Sequence, residues 1–158
     1  MTRALAAAAS IALLSASFAS ANTDIAIEDV PENILDTAIR TAPGVTFDRV
    51  SIEVENGVSI YEFEAKDHDG RHIEIDVTED GELEEIEMEF DFDDLPDAVA
   101  ATLEETVPGF EPDYVEFSVR QTAPIYVYEF DGSYEGRAVD IEIAEDGELL
   151  IFRHGLSS

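Results

Sequence analysis

The chain contains no cysteine, a single lysine, Lys66, and only seven arginines. Without cysteine there is no disulfide staple, no thiol nucleophile and no lipid-modified cysteine as an anchor. Against these eight cationic side chains stand 38 carboxylates, and the formal charge is −30. A balance this acidic repels nucleic acid and anionic membrane surfaces, which leaves cations, basic proteins or a saline habitat as its setting. Long apolar runs are missing as well, apart from the first 21 residues. Acid excess alone can mark disorder, yet 45% of the residues are hydrophobic. They fall in regular periods, so the chain is expected to fold.

Residues 1–21 carry Arg3, an alanine-rich apolar stretch and Ala19-Ser20-Ala21 before the polar Asn22. The stretch is too short and too rich in alanine for a span of about 30 Å, and the closing residues fit a signal peptidase site. A signal peptide cleaved after Ala21 is expected, giving a periplasmic or secreted protein. Removing one arginine and no acid would take the formal charge to −31.

What is abundant is a repeated pattern. The segment YEFEAKDHDGRHIEIDVTEDGEL, from Tyr61 to Leu83, returns in altered form as YEFDGSYEGRAVDIEIAEDGEL between Tyr128 and Leu149. Apolar residues recur at every second position, and Asp80-Gly81 and Asp146-Gly147 supply the positive φ that tight turns need. Ahead of each copy lies a helical pattern led by proline, Pro31 to Ala42 and Pro96 to Val107. One carries Ile34, Leu35, Ala38, Ile39 and Ala42 at helical spacing, the other Val99, Leu103 and Val107. Pro43-Gly44 and Pro108-Gly109 stop them, offset by 65 positions. The spacing predicts an α+β protein of two tandem αββββ repeats, 22–92 and 93–158, each a helix packed on a four-stranded antiparallel sheet. A unit of about 65 residues buries only about 60% of its unfolded surface, so the two are expected to pack together, through a shared apolar interface or edge to edge.

This pattern resembles the PepSY-like family, including tandem members with the fold of the beta-lactamase inhibitory protein. The carriers are the proline-led helices, the Tyr-Glu-Phe strands at Tyr61 and Tyr128, and the Gly-Arg and Asp-Gly turns. The resemblance implies an exported, non-catalytic module that binds or inhibits another protein, often a peptidase. Its cysteines are absent here, so neither target nor contact residues carry over.

Alternating with the apolar positions are Glu53, Glu62, Glu64, Glu74, Asp76, Glu85 and Glu87, which are expected to form one carboxylate face. Exposed like charges at about 5 Å repel by up to about 0.8 kcal/mol in water. Such a face serves a protein or peptide partner, with a basic one suited to its charge, or holds loosely bound cations. It also suits a merely solvated surface adapted to salt. An inhibitor or regulator of a secreted or periplasmic enzyme is the first reading, an acidic calcium-binding periplasmic protein the alternative. Asp67-His68-Asp69-Gly70 matches a calcium loop poorly and reads as turn chemistry. His68, His72 and His154 have no metal-ligand spacing, no nucleophile motif is present, and no carboxylate pair is singled out as acid and base, so neither an enzyme nor a cofactor is expected. Tyr61, Phe63, Tyr128 and Phe130 share the core parity of their strands. Ile125 and Val127 point the other way and offer apolar contact, while Tyr134 is expected in an exposed turn.

Overall fold

The computed structural model describes residues 23–155 except Asn56; the proposed signal peptide and residues 156–158 lie outside the described residues. Nine strands form one antiparallel sheet in chain order: β1 (Thr23–Asp24), β2 (Phe47–Glu55), β3 (Val58–Lys66), β4 (His72–Thr78), β5 (Leu83–Glu89), β6 (Tyr114–Arg120), β7 (Tyr126–Tyr134), β8 (Arg137–Ala144) and β9 (Leu149–His154). Helix α1 (Glu32–Thr41) precedes β2, and α2 (Asp97–Thr106) precedes β6.

The expectation of two tandem helix-plus-four-strand repeats, each with its own sheet, is overturned by this topology. The sheet does not stop at residue 92. Strand β5 pairs with β6 from Glu85↔Arg120 to Glu89↔Glu116, so the backbone ladder runs unbroken across the expected boundary. An edge strand with unpaired N–H and C=O groups is satisfied most directly by another strand, and β5 and β6 each supply the other's partner. Strand β1 was also unforeseen. It is two residues long and pairs Thr23 with Ile52 and Asp24 with Ser51.

Both helices cover the same face. Ile34 and Ala38 of α1 pack with Val50, Phe63, Ile75 and Val77, whereas Val99 and Leu103 of α2 pack with Val115, Phe130, Ile141 and Ile143. Ile39 leaves the expected stripe and is 49% exposed. The prolines stand one residue ahead of the helices, as extended N-caps with ψ of 138° and 143°, rather than at the first helical position. Each helix is also tied to a turn. Thr37 Oγ1 donates to the Gly81 carbonyl at 2.8 Å, and Thr102 Oγ1 to the Gly147 carbonyl at 2.7 Å. Gly81 has φ of 84°, a conformation that other residues adopt only with strain, so this turn calls for glycine, and α1 approaches it closely through the movable Asn33 side chain.

Phe90, at the end of β5, packs edge-on to Tyr128 at 5.2 Å and belongs to the α2 side of the core. A fragment of residues 22–92 therefore loses the cover for Phe90, keeps Ile86 packed under α1, and exposes the β5 edge. It is expected to aggregate or melt without cooperativity by circular dichroism. A sharp melt close to that of the whole chain would show that the β5–β6 pairing adds little.

Candidate functional site

Strand alternation sends the remaining side chains to the face that carries no helix. Because the register is continuous, they line up across strands. One row runs Ser51, Glu62, Asp76, Glu85, Arg120; the next runs Glu64, Glu74, Glu87, Ser118, Val127, Ala144; a third runs Glu89, Glu116, Glu129, Glu142, Ile151. Directly opposed residues have Cβ atoms only about 4.5–5.5 Å apart, so each row sets three or four carboxylates side by side, and the first row ends on the cation Arg120.

The face is also occluded. Ser51, Ser118 and Val127 are at most 1% exposed, and Glu62 and Glu142 are buried, although no helix lies over them. The long side chains lie over the short ones: Glu62 bonds Ser51 and Glu85 bonds Ser118. Carboxylates packed against one another in this way are partly withdrawn from water. Burial, followed by repulsion from Glu74 and Glu62, pushes the Asp76 carboxyl up to about 9. Burial and then Glu62 and Glu116 raise Glu74 to about 7. Glu87 and Glu129 rise together, first through burial and then through the acids around them. Asp76 Oδ1 is buried with no hydrogen-bond partner among the described residues.

Internal cations balance part of this. Arg120 is the centre: Nε reaches Glu85 Oε1 at 2.6 Å, Nη1 reaches Glu142 Oε2 at 2.8 Å, and Nη2 reaches Glu129 Oε1 at 2.9 Å. Burial by itself would lower the Arg120 pKa, but its bonds to Glu85 and Glu142 outweigh that and raise it. Ser118 Oγ donates to Glu85, and Ser51 Oγ to Glu62. At the other side Arg49 joins Asp24 and Glu64, and His72 lies 3.9 Å from Glu64 and 3.7 Å from Glu116.

All seven sequence-predicted acids fall on this face. They form a packed array rather than an exposed wall. Glu116, Glu129, Glu142 and Arg120 were missing from the sequence-derived set; their strand parity was readable, but nothing local says that β6 lies beside β5. Two other expectations change. Val127 is fully buried in the second row instead of offering apolar contact, and Tyr134 is half-buried against Phe110, with ring centroids 6.2 Å apart. Arg137 shares the parity of Val139 and lies on the helix side.

Among the described residues, Glu85, Glu87 and Glu129 bring carboxylate oxygens within 4.8 Å of one another, which is the spacing for a cation. The Asp67 turn is occupied internally: Oδ1 accepts from Asp69 N–H and Arg71 N–H, and Oδ2 from Arg71 Nε. His68 and His154 are exposed, in a turn and at the end of β9.

No family model matches the chain, and no curated protein matches it. Solved structures do. A BLIP-like protein from Bacteroides fragilis has a TM-score of 0.61 at 21% identity, over 81% of this chain and 87% of its own. A Bacteroides eggerthii protein provisionally assigned to the periplasm has a TM-score of 0.64 at 12% identity, over 79% of this chain and 88% of its own. A DUF2874 family protein from Bacteroides uniformis has a TM-score of 0.63 at 12% identity, over 79% and 89%. The BLIP-like fold is thus shared. No helix among the described residues is long and apolar enough to cross a membrane.

The acids fix the sign of the pH dependence. Their folded pKa values lie above the unfolded values near 4, so the folded state holds the extra protons. The stability this gives is complete below about pH 4 and is lost as pH rises through about 7 for Glu74 and about 9 for Asp76. At fixed ionic strength the melting temperature should be higher at about pH 5 than at about pH 8.5. Asp76→Asn should raise it at the higher pH and change it little at the lower. A melting temperature that climbs with pH would contradict the burial of these carboxyls.

Arg120 gives a second test. Arg120→Met leaves three crowded carboxylates without their cation, and breaking a partly buried network costs about 3 kcal/mol at neutral pH. Urea denaturation should show that loss, and show it shrinking near pH 4.5 as the glutamates protonate. An equal loss at both pH values would mean that the arginine acts through packing alone.

Proposed function

We propose that the protein is an exported, non-catalytic module of PepSY-like type whose helix-free sheet face receives a basic protein or peptide, with inhibition or regulation of a secreted enzyme as its role. The observation that carries this reading is the cross-strand acid array around Glu74, Asp76 and Glu87. These groups lie on one sheet face in adjacent strands, and a guanidinium or ammonium approaching it would meet several carboxylates at once, as Arg120 does from within the chain. The likeness to a BLIP-like protein supports partner binding, and the provisionally periplasmic relative supports the location. Glu53, Glu62, Glu64 and Glu85 complete the proposed surface.

Loosely bound cations, or calcium held at Glu85, Glu87 and Glu129, form the second reading, favoured by their convergence within 4.8 Å. Glu85 and Glu129 already hold Arg120, which weakens it.

The test compares the parent with Glu74→Gln/Asp76→Asn/Glu87→Gln. A fluorescent oligolysine should bind the parent with an affinity that falls steeply with salt, and the triple variant should lose at least about ten-fold, the equivalent of about 1.4 kcal/mol. Capture from periplasmic extract should retain a partner on the parent that the variant releases. A calcium-specific rise in melting temperature, absent in sodium chloride of equal ionic strength and abolished by Glu87→Gln, would favour the cation-binding reading. Equal oligolysine binding by parent and variant would remove the first.

A further inference from the structure

The far edge of the sheet differs chemically from everything else in the chain. Strand β9 reads Leu-Leu-Ile-Phe-Arg-His and, among the described residues, is the one strand with no carboxylate. It is also a full-length edge, hydrogen-bonded on one side to β8 alone. Its polarity can be worked out from the ladder. Gly155 N–H donates to the Ala138 carbonyl, so in an antiparallel pair Arg153 and Ile151 also bond inward, while Phe152 and His154 direct their N–H and C=O groups outward. Natural edges are guarded by charge, proline or bulges; β9 has a register shift at Leu150, between Leu149 and Ile151, but beyond it the outward-bonding residues are an aromatic and a histidine.

The side chains beside this edge form a receiving notch of about 230 Å³ on the helix side, lined by Thr106, Tyr134, Glu135, Arg137, Val139, Phe152 and His154, in which Glu135 and Arg137 form no ion pair with one another. Phe152 is 40% exposed and lies 5.4 Å from the His154 ring. Arg49, Arg71, Arg120 and Arg153 are each bound to carboxylates, whereas Arg137 and Arg40 make no ion pair among the described residues, Arg40 bonding the Thr37 hydroxyl instead. In a chain with a nearly five-fold excess of acids, an unpaired guanidinium beside an open strand edge is an uncommon placement.

We propose that β9 is a strand-docking site, independent of the acidic face, where an extended segment of a partner protein adds as a tenth strand and sets an acidic side chain against Arg137 over the Phe152 ring. The backbone of Phe152 and His154 supplies the pairing, and Arg137 supplies the choice of charge. A second copy of this chain fits less well: β9 has no acid to offer, and β9-to-β9 pairing would bring Arg137, Arg153 and His154 of two copies together. Screening at about 0.15 M salt acts over about 8 Å, so the acids of the opposite face do not decide what binds here.

The experiment uses two fluorescein-labelled octapeptides, one alternating valine and threonine with glutamate, the other with lysine in the glutamate positions. They are titrated into the isotope-labelled protein at about 0.15 M salt. The glutamate peptide should shift the Phe152 and His154 amides and slow their hydrogen exchange, leaving the Glu74 and Asp76 amides unmoved. Arg137→Gln should weaken it about three- to five-fold, as expected for one exposed ion pair. Phe152→Pro removes an outward N–H without breaking a bond to β8, so it should abolish binding while the rest of the amide spectrum is kept. The proposal is overturned if the lysine peptide binds as well, if the shifts fall on the acidic face, if neither peptide binds at millimolar concentration, or if β9 amides shift with protein concentration alone, which would make a second copy the occupant.

Discussion

The pairing of β5 with β6 is the interaction on which the rest depends. Five residue pairs, Glu85↔Arg120 through Glu89↔Glu116, make one sheet of two runs of strands and bring their side-chain rows into register. Without it Arg120 would have no Glu85, and Glu87 would have neither Glu116 nor Glu129 as a neighbour. It also commits both helices to one side, because the parity of Ile86 and Met88 passes directly to Val119 and Phe117.

A consequence is that apolar packing and electrostatics oppose one another across the thickness of the sheet. On the helix side, Ile34, Phe63, Val99, Phe130 and Ile141 are almost wholly buried, and each such side chain contributes about 1.5–3 kcal/mol. On the other side, the same alternation crowds carboxylates that would be more stable apart. Protonation of Asp76 and Glu74, the Arg120 network and an external cation are three ways of relieving one strain. A surface stabilised by whatever neutralises it is well suited to binding, since the free energy relieved in the complex adds to affinity.

Much of the element order is written locally. Period-two alternation marks β2 to β5 and β6 to β9, proline followed by helical spacing marks α1 and α2, and Asp-Gly marks the turns at Gly81 and Gly147. The seven named acids share a face for the same reason, since alternation fixes parity within a strand. Strand β1 was illegible because two residues carry no period. Ile39 left its stripe because α1 covers the sheet with a narrower contact than the pattern allowed.

The amino-acid sequence alone determined which residues alternate, where the chain turns and how negative the molecule is, because these depend on neighbours within a few positions. Only the tertiary structure decided that the sheet is single, that Arg120 closes on Glu85, Glu129 and Glu142 from three other strands, and that Val127 is covered. Arg120 and Glu85 stand 35 residues apart with α2 between them; their meeting is chosen by the pairing of β5 with β6, and that choice has no local signature in the chain.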